Sequence, residues 1–199
     1  MTRSPSRRRT PWEWQTDRWR ERRLARRTAN IHVAPPARAW GSLGRATIVP
    51  PLRVLHPECI SVGDGVTIAE HAMFVVVPSF DDIVPRLVIE DGVRIGRCCA
   101  FGVVGEVTIG RDARIGDFAM IVDAVHPFGT EARLAAVDRP RPVRIGEGAE
   151  LGTHVVVLPG VTVGAGAQVE HHSVVGQDVP AGEWVAGYPA RRRPGARRH

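Results

Sequence analysis

The segment from Ile145 to Val175 repeats with a period of six and reads IGEGAE-LGTHVV-VLPGVT-VGAGAQ-VEHHSV-V. An aliphatic residue opens every hexad, and a small or β-branched residue stands four places after it. Glycine follows four of the six aliphatic residues, whereas Leu158 and Glu170 follow the other two. A period of six fits neither the 3.6-residue helix nor the two-residue alternation of a strand. It predicts a coil of three short flat strands, in which each hexad points one aliphatic side chain inward.

Two interruptions divide the hexads. The first spans Val77–Arg86 and the second Ala124–Pro142, and both contain prolines, which end regular structure. The hexad register resumes after each of them, at Ile89 and at Ile145. The sequence therefore predicts an all-β parallel coil with two extruded loops, and loops on a rigid scaffold often carry function.

The basic charge of the chain is concentrated at its ends. All 27 basic residues are arginine; ten of them lie in the first 27 residues, and five more lie between Arg191 and Arg198. Such tails bind nucleic acid, an anionic membrane or a phosphorylated ligand, or remain solvated arms. We interpret the N-terminal run as a solvated arm and expect no nucleic-acid partner.

The N-terminal region carries a helix signal. Residues 10–13, Thr-Pro-Trp-Glu, form a capping box with proline at the first helical position. A helix over about 11–28 would follow a disordered tip of residues 1–9. Its stripe of Trp12, Trp19 and Leu24 packs on the body of the protein or on a neighbouring subunit in our interpretation, with a membrane surface as the alternative. We expect three regions: a basic extension (1–46), the β-helix (47–190) and a basic tail (191–199).

Composition also bears on compartment and metal content. No apolar run reaches the roughly 20 residues of a membrane span, and no signal region follows the first arginines. The three cysteines, two of them adjacent, show neither a disulfide framework nor metal-ligand spacing. The sequence predicts a cytoplasmic protein without a metal site.

Four motifs, one of them within the segment from Ile145 to Val175, carry a resemblance. They are Ile60–Ile68 (ISVGDGVTI), Ile115–Ile121 (IGDFAMI), Val157–Gly164 (VLPGVTVG) and Gly187–Arg191 (GYPAR). With them, the chain resembles the hexapeptide-repeat acyltransferases, in particular the branch that O-acetylates sugars, antibiotics and polysaccharide intermediates. The resemblance implies a left-handed parallel β-helix, acetyl-coenzyme A as acyl donor and a homotrimer whose active sites lie between subunits.

The resemblance assigns the general base to His126, which opens the second loop directly after Ile115–Ile121. The chemistry agrees, because a hydroxyl attacks poorly until a base takes its proton, and imidazole titrates near neutral pH. Asp123 would orient the imidazole ring; the alternative is an exposed loop carboxylate without that role.

The coenzyme residues follow from the same resemblance. Thr153 matches a position near the thioester, where its hydroxyl and backbone N–H would meet developing negative charge. His171, Gly176 and Gln177 match positions lining the pantetheine and nucleotide groove, although Gly176 is equally explained as a hexad glycine. Arg191 matches a residue near the phosphates, which a guanidinium binds well.

The acceptor is the least determined part of the prediction. The resemblance favours a hydroxyl of a sugar, a glycan intermediate or a glycosylated small molecule, and an amine acceptor remains an alternative. Gly176 and Gln177 replace the threonine–lysine pair common in the family, and Glu150 stands where a tryptophan is frequent. The asparagine that contacts the acceptor in many relatives has no counterpart near the catalytic loop.

Two other functions use the same coil. In a zinc-dependent carbonic anhydrase of the γ type, three imidazoles converge on the metal. His154 and His172 are 18 residues apart, one full turn of the coil, so they would stack on one edge. In a non-catalytic scaffold, the arginines would bind a partner. In the carbonic anhydrase, His126 would approach His154 and His172 across a subunit boundary, but the Leu-Pro-Gly-Val motif and the C-terminal GYPAR sequence would have no role. The scaffold leaves His126 in its motif unexplained.

Overall fold

The structure is a computed structural model that describes residues 37–125 and 137–193. The chain divides into two units after Asn30, and every described residue belongs to the second. The predicted N-terminal helix, His126 and the end of the basic tail lie outside the described residues.

Twenty short strands make up the described chain, with 3₁₀ helices at Ala37–Ala39 and Pro57–Cys59. The strands are β1 (Ser42–Leu43), β2 (Thr47–Ile48), β3 (Arg53–Leu55), β4 (Ile60–Val62), β5 (Thr67–Ile68), β6 (Met73–Val76), β7 (Arg86–Ile89), β8 (Arg94–Ile95), β9 (Ala100–Val103), β10 (Glu106–Ile109), β11 (Arg114–Ile115), β12 (Met120–Val122), β13 (Val143–Ile145), β14 (Glu150–Leu151), β15 (Val156–Val157), β16 (Thr162–Val163), β17 (Gln168–Val169), β18 (Val174–Val175), β19 (Trp184–Ala186) and β20 (Arg191–Arg192).

These strands form three parallel sheets, which we call faces A, B and C. Face A has the order β1-β4-β7-β10-β13-β16, face B the order β2-β5-β8-β11-β14-β17-β19-β20, and face C the order β3-β6-β9-β12-β15-β18. The chain visits the faces in the order A, B, C and then begins the next turn, so it winds as a parallel β-helix. Only β20 runs antiparallel among the described strands; it returns along β19.

The hexad positions form the core, as predicted. The aliphatic residues that open the hexads from Ile145 to Val175 are each at most 3% exposed. The residues four places later are buried too, and they include Ala149 and Ser173, each at 0%. Small side chains stand at these second positions because the interior narrows toward the corners of the coil. Phe74 and Phe101 fill the wider centre of two successive turns, with ring centroids 5.2 Å apart.

Carboxylates at the corners bond to backbone N–H groups of the preceding turn. Asp64 accepts the N–H of Arg45, and Asp91 accepts the N–H of Asp64. Asp117 accepts the N–H of Arg97 in the same manner. These bonds satisfy donors that the flat strands leave unpaired where the chain turns.

The two interruptions lie where the sequence predicts them, and both leave between face C and face A. One separates β6 from β7, and the other separates β12 from β13. The coil itself begins at Ser42, where β1 pairs with β4, five residues before the expected boundary at Thr47. At the other end, β20 includes Arg191 and Arg192, which the sequence assigned to the tail.

No helix within 37–125 or 137–193 is long and apolar enough to cross a membrane. A cytoplasmic location stays a prediction.

Candidate functional site

Asp123 lies at the corner between faces C and A, which we call the CA corner, directly after β12. Its side chain is fully buried. Oδ1 accepts the N–H of Val104 at 2.8 Å, and Oδ2 accepts that of Gly105 at 2.7 Å. Burial raises the pKa of the Asp123 carboxyl, and the bonds from Val104 and Gly105 act against that rise. The exposed-carboxylate alternative is therefore wrong, because this side chain fixes the start of the second loop.

The two loops meet beside this corner. Arg139 of the second loop donates to Oδ2 of Asp82 in the first loop at 2.5 Å, and its guanidinium lies over the Phe80 ring, 5.3 Å from the centroid. His126 itself lies outside the described residues. The described parts of both loops therefore meet at one corner.

Thr153 and His171 lie in successive turns at the corner between faces B and C, which we call the BC corner. The backbone N–H of Thr153 donates to Nδ1 of His171 at 2.9 Å. This imidazole therefore performs the capping role that Asp117 performs at the same corner. Because Nδ1 is an acceptor, the neutral ring carries its proton on Nε2 and presents a donor there. The Thr153 N–H is already bonded, so only its hydroxyl remains for the predicted role near the thioester.

An open groove of about 560 Å³ runs along face B beside these two residues. Its lining includes Gly96, Gly116 and Gly152, one from each of three successive turns. Arg94 and Trp184 contribute to its walls. The glycines are required by the fold, since a Cβ on Gly152 would lie 2.6 Å from the backbone nitrogen of His171.

Gly176, Gln177 and Arg191 gather at the C-terminal end of the coil. The Arg191 guanidinium donates to the Gln177 amide oxygen at 3.5 Å and to the Ala190 carbonyl at 3.0 Å. A Cβ on Gly176 would meet only Leu158 Cδ1, at 3.4 Å, which is an ordinary contact. The fold of one chain therefore does not require glycine at position 176.

The candidate residues form two groups on opposite edges of face C. Thr153 and His171 lie at the BC corner, whereas Asp123, Gly176 and Gln177 lie at the CA corner. The outer side of face C between them is apolar, in contrast to the arginines and glutamate of face B. Its residues are paired in register and partly exposed: Met73, Ala100, Met120, Val156 and Val174.

The BC corner also carries three stacked rings. Phe118 stacks on His154 with centroids 4.7 Å apart, and His154 stacks on His172 at 4.8 Å. The stacking of the two imidazoles agrees with their one-turn spacing in the sequence, whereas the participation of Phe118 was not foreseen. The two imidazole rings are nearly parallel, so the nitrogen lone pairs lie in two parallel planes and do not converge on a common ion. Within the described part of the chain, no three candidate ligands cluster as a zinc site would need.

Comparison with known proteins identifies the repeat. The Hexapep family, bacterial transferase hexapeptide (six repeats), matches residues 142–177. Residues 142–177 carry this repeat. Nodulation protein L of Rhizobium meliloti (strain 1021) is 45% identical over 95 residues, which are 48% of this chain and 52% of that protein. The chain spans about half the length of the curated relatives it matches.

Solved structures share the coil of this chain. One is the N-acyltransferase AntD from Bacillus cereus with dTDP and 3-hydroxybutyryl-CoA, with a TM-score of 0.67 and 20% identity, covering 78% of this chain and 82% of that one. Another is a hexapeptide-repeat acetyltransferase from Vibrio cholerae complexed with acetyl coenzyme A, with a TM-score of 0.56 and 24% identity, covering 89% and 87%. The predicted resemblance and the left-handed parallel β-helix are confirmed.

Proposed function

We propose that the protein transfers an acetyl group from acetyl-coenzyme A to a hydroxyl of a sugar, glycan intermediate or glycosylated small molecule. The observation that carries the proposal is the arrangement at the CA corner. Buried Asp123 fixes the chain three residues before His126, on the same edge as Gly176 and Gln177 two turns later. The start of the loop that contains the predicted base and part of the predicted coenzyme groove therefore lie on one edge.

In the proposed reaction, His126 removes the proton of the acceptor hydroxyl as its oxygen attacks the thioester carbonyl carbon. The C–O bond forms, the C–S bond breaks, and the imidazolium returns the proton to the departing coenzyme A sulfur. The Thr153 hydroxyl and the Nε2–H of His171 are the donors for the developing oxyanion. Asp123 acts through the backbone, because both of its oxygens bond to the turn at Val104 and Gly105.

A complete site requires two copies of the chain in this proposal. Thr153 and His171 lie on one edge of face C and the loop that contains His126 leaves from the other. In the proposal the two groups therefore meet between copies. Packing the apolar face C against neighbouring copies buries Met120, which is 44% exposed in the single chain. A closed trimer places the BC corner of one copy beside the CA corner of the next, and exposed apolar faces favour such closed symmetric assemblies.

The acceptor pocket in this proposal lies between the two loops. A polyol hydroxyl would share the Asp82 carboxylate with the Arg139 guanidinium, and the face of the Phe80 ring away from Arg139 supplies an apolar contact. AntD, which shares the fold, is an N-acyltransferase solved with dTDP, and this supports a sugar or nucleotide-sugar acceptor of either hydroxyl or amine type.

A thiol-release assay with acetyl-coenzyme A tests this function. The panel comprises free sugars, nucleotide sugars, amino sugars, aminoglycosides and serine, each with a no-acceptor control. We expect release with at least one sugar hydroxyl acceptor and an ester product by mass spectrometry. Release only with amino sugars would replace O-acetylation with N-acetylation, and release only with serine would refute the sugar acceptor. No release with any acceptor, together with no acetyl-coenzyme A binding by calorimetry, would refute the transferase itself.

A further inference from the structure

The three stacked rings at the BC corner, which we call the ring column, follow the strand spacing of the coil. Phe118, His154 and His172 occupy the same place in three successive turns, each with a positive φ between 59° and 60°. Their centroid spacings of 4.7 and 4.8 Å match the distance between neighbouring strands. The column therefore presents one ring per turn, with His172 at its C-terminal end.

The next turn supplies no ring, because its corner is shorter. The N–H of Val156 bonds to Ser173, four residues beyond Val169. One turn later, the N–H of Val174 bonds to Gly187, only two residues beyond Val185, the register partner of Val169. Two residues are therefore missing where the next ring of the column would stand. Ser173 Oγ accepts the N–H of Gly187 at 3.0 Å and holds the short corner in place.

The space beside the shortened corner is open. Gly187 has no side chain, and a Cβ built there would have no atom closer than 3.7 Å. His172 is exposed, and the neighbouring Tyr188 is 83% exposed. One face of the His172 ring stacks on His154, so the other face borders this space. The fold thus ends an exposed ring column with a vacant position for one more planar group.

The charge around this position favours a phosphorylated ligand. The chain continues from Tyr188 into Arg191, Arg192 and Arg193, and all three arginines are exposed. Arg192 pairs with Glu183, and Arg193 lies 3.8 Å from Glu170, whereas Arg191 bonds to neutral groups, the Gln177 amide and a backbone carbonyl. Within the described residues no carboxylate pairs with Arg191, so its guanidinium is available to a phosphate at the same end of the coil.

We propose that the vacant position beyond His172 binds the nucleobase of a nucleotide ligand, which stacks on the imidazole while its phosphates face Arg191. The inference goes further than the proposed transferase function, on which it rests for the two sources of the base. One source is the adenine of coenzyme A, and the other is the base of a nucleotide-sugar acceptor. Base-to-ring stacking tolerates any base, because every base has a π face.

Binding calorimetry on the full chain tests the stacking position. The probes are adenosine 3′,5′-bisphosphate, dTDP and ribose 5-phosphate, which lacks a base, at about pH 8. His172→Asn removes the ring and suits the positive φ. We expect it to weaken binding of at least one base-bearing probe on the order of tenfold, with ribose 5-phosphate unchanged. Loss for the bisphosphate identifies the coenzyme as the source, and loss for dTDP identifies the nucleotide sugar.

Two further variants distinguish a loss of stacking from a general loss of folding or binding. His172→Phe restores a ring at a φ that Phe118 already adopts, so affinity should return. Phe118→Asn changes the opposite end of the ring column and should leave the affinities for all three probes as in wild type. Equal binding of the base-bearing probes to wild type and His172→Asn, or no binding to wild type, would overturn the inference. If His172→Asn releases thiol with unchanged KM values for both acetyl-coenzyme A and the acceptor, the stacking alone would be refuted. Stacking without thiol release on any acceptor would refute the transferase alone.

Discussion

At the residue scale, polar side chains at the corners are engaged in bonds that the sequence does not reveal. The hexad pattern predicts which side chains point inward, but it does not state which corner residue bonds to the N–H of the preceding turn. Asp123 and His171 are examples, because both were predicted from resemblance as functional residues and both satisfy backbone donors. Pairing across turns depends on the lengths of the corners, which differ between turns and become known only from the folded coil.

Asp117 makes the corner bonds testable by pH. It accepts the Arg97 guanidinium at 2.7 and 3.0 Å and the Arg97 backbone N–H at 2.9 Å, and these bonds, the guanidinium first, lower the pKa of its carboxyl. A lowered pKa stabilises the fold above the unfolded value of about 3.9, and that contribution is lost as pH falls through the folded value. Asp117→Asn should therefore lower Tm at pH 7, and the difference from wild type should shrink below about pH 4. A difference that stays constant down to pH 3 would contradict this role.

At the element scale, the hexads predicted the strands well and their ends less well. The buried positions from Ile145 to Val175 are those that the period of six indicates. The coil nevertheless starts at Ser42 rather than Thr47. The hexad pattern does not reveal this first turn, because it pairs through only Ser42 and Leu43 and lacks the regular spacing of the later turns. The shortened corner at Gly187 was not predicted either. The residues after Val185 do not continue the hexads, so the sequence gives no register from which two missing residues could be counted.

Two glycines separate fold from ligand binding. Gly152→Ala places a Cβ 2.6 Å from backbone of the next turn and should lower the free energy of unfolding by about 1–3 kcal/mol. Gly176→Ala meets only a side-chain carbon at 3.4 Å and should change stability by less than about 0.5 kcal/mol. If coenzyme A passes over Gly176 as proposed, the added methyl should weaken its binding nonetheless. Denaturant titration and calorimetry measure the two effects, and unchanged coenzyme A affinity in Gly176→Ala would remove this residue from the groove.

At the scale of the whole molecule, face C is the surface through which the proposed trimer would complete its active sites. Its apolar strip lies between the two groups of candidate residues, so an assembly through this face would bring the BC corner of one copy to the CA corner of another. The resemblance implied a trimer, but the sequence could not say which face is used, because residues on the outer sides of all three faces alternate with the core in the same manner.

Met120→Glu tests the assembly. Met120 is 44% exposed at the centre of the strip, so a carboxylate there should leave the single coil folded and oppose packing of face C. We expect wild type to be a trimer by light scattering and the variant to be a monomer with little acetyl transfer. Thr162→Glu, an exposed change on face A beside Arg144, serves as the matched control and should remain a trimer. A monomeric wild type, or a fully active monomeric variant, would contradict a site shared between copies.

The comparison of His126→Ala with wild type in acetyl transfer tests the central claim most directly. The assay uses the best acceptor of the panel, with circular dichroism and acetyl-coenzyme A binding measured on the same samples. His71→Asn is the control, since His71 lies in an early turn on the BC side and its positive φ suits asparagine. We expect His126→Ala to fold and bind the coenzyme normally while turnover falls by about two to four orders of magnitude, the range for loss of a general base. Turnover equal to wild type in the folded, coenzyme-binding variant would contradict the account.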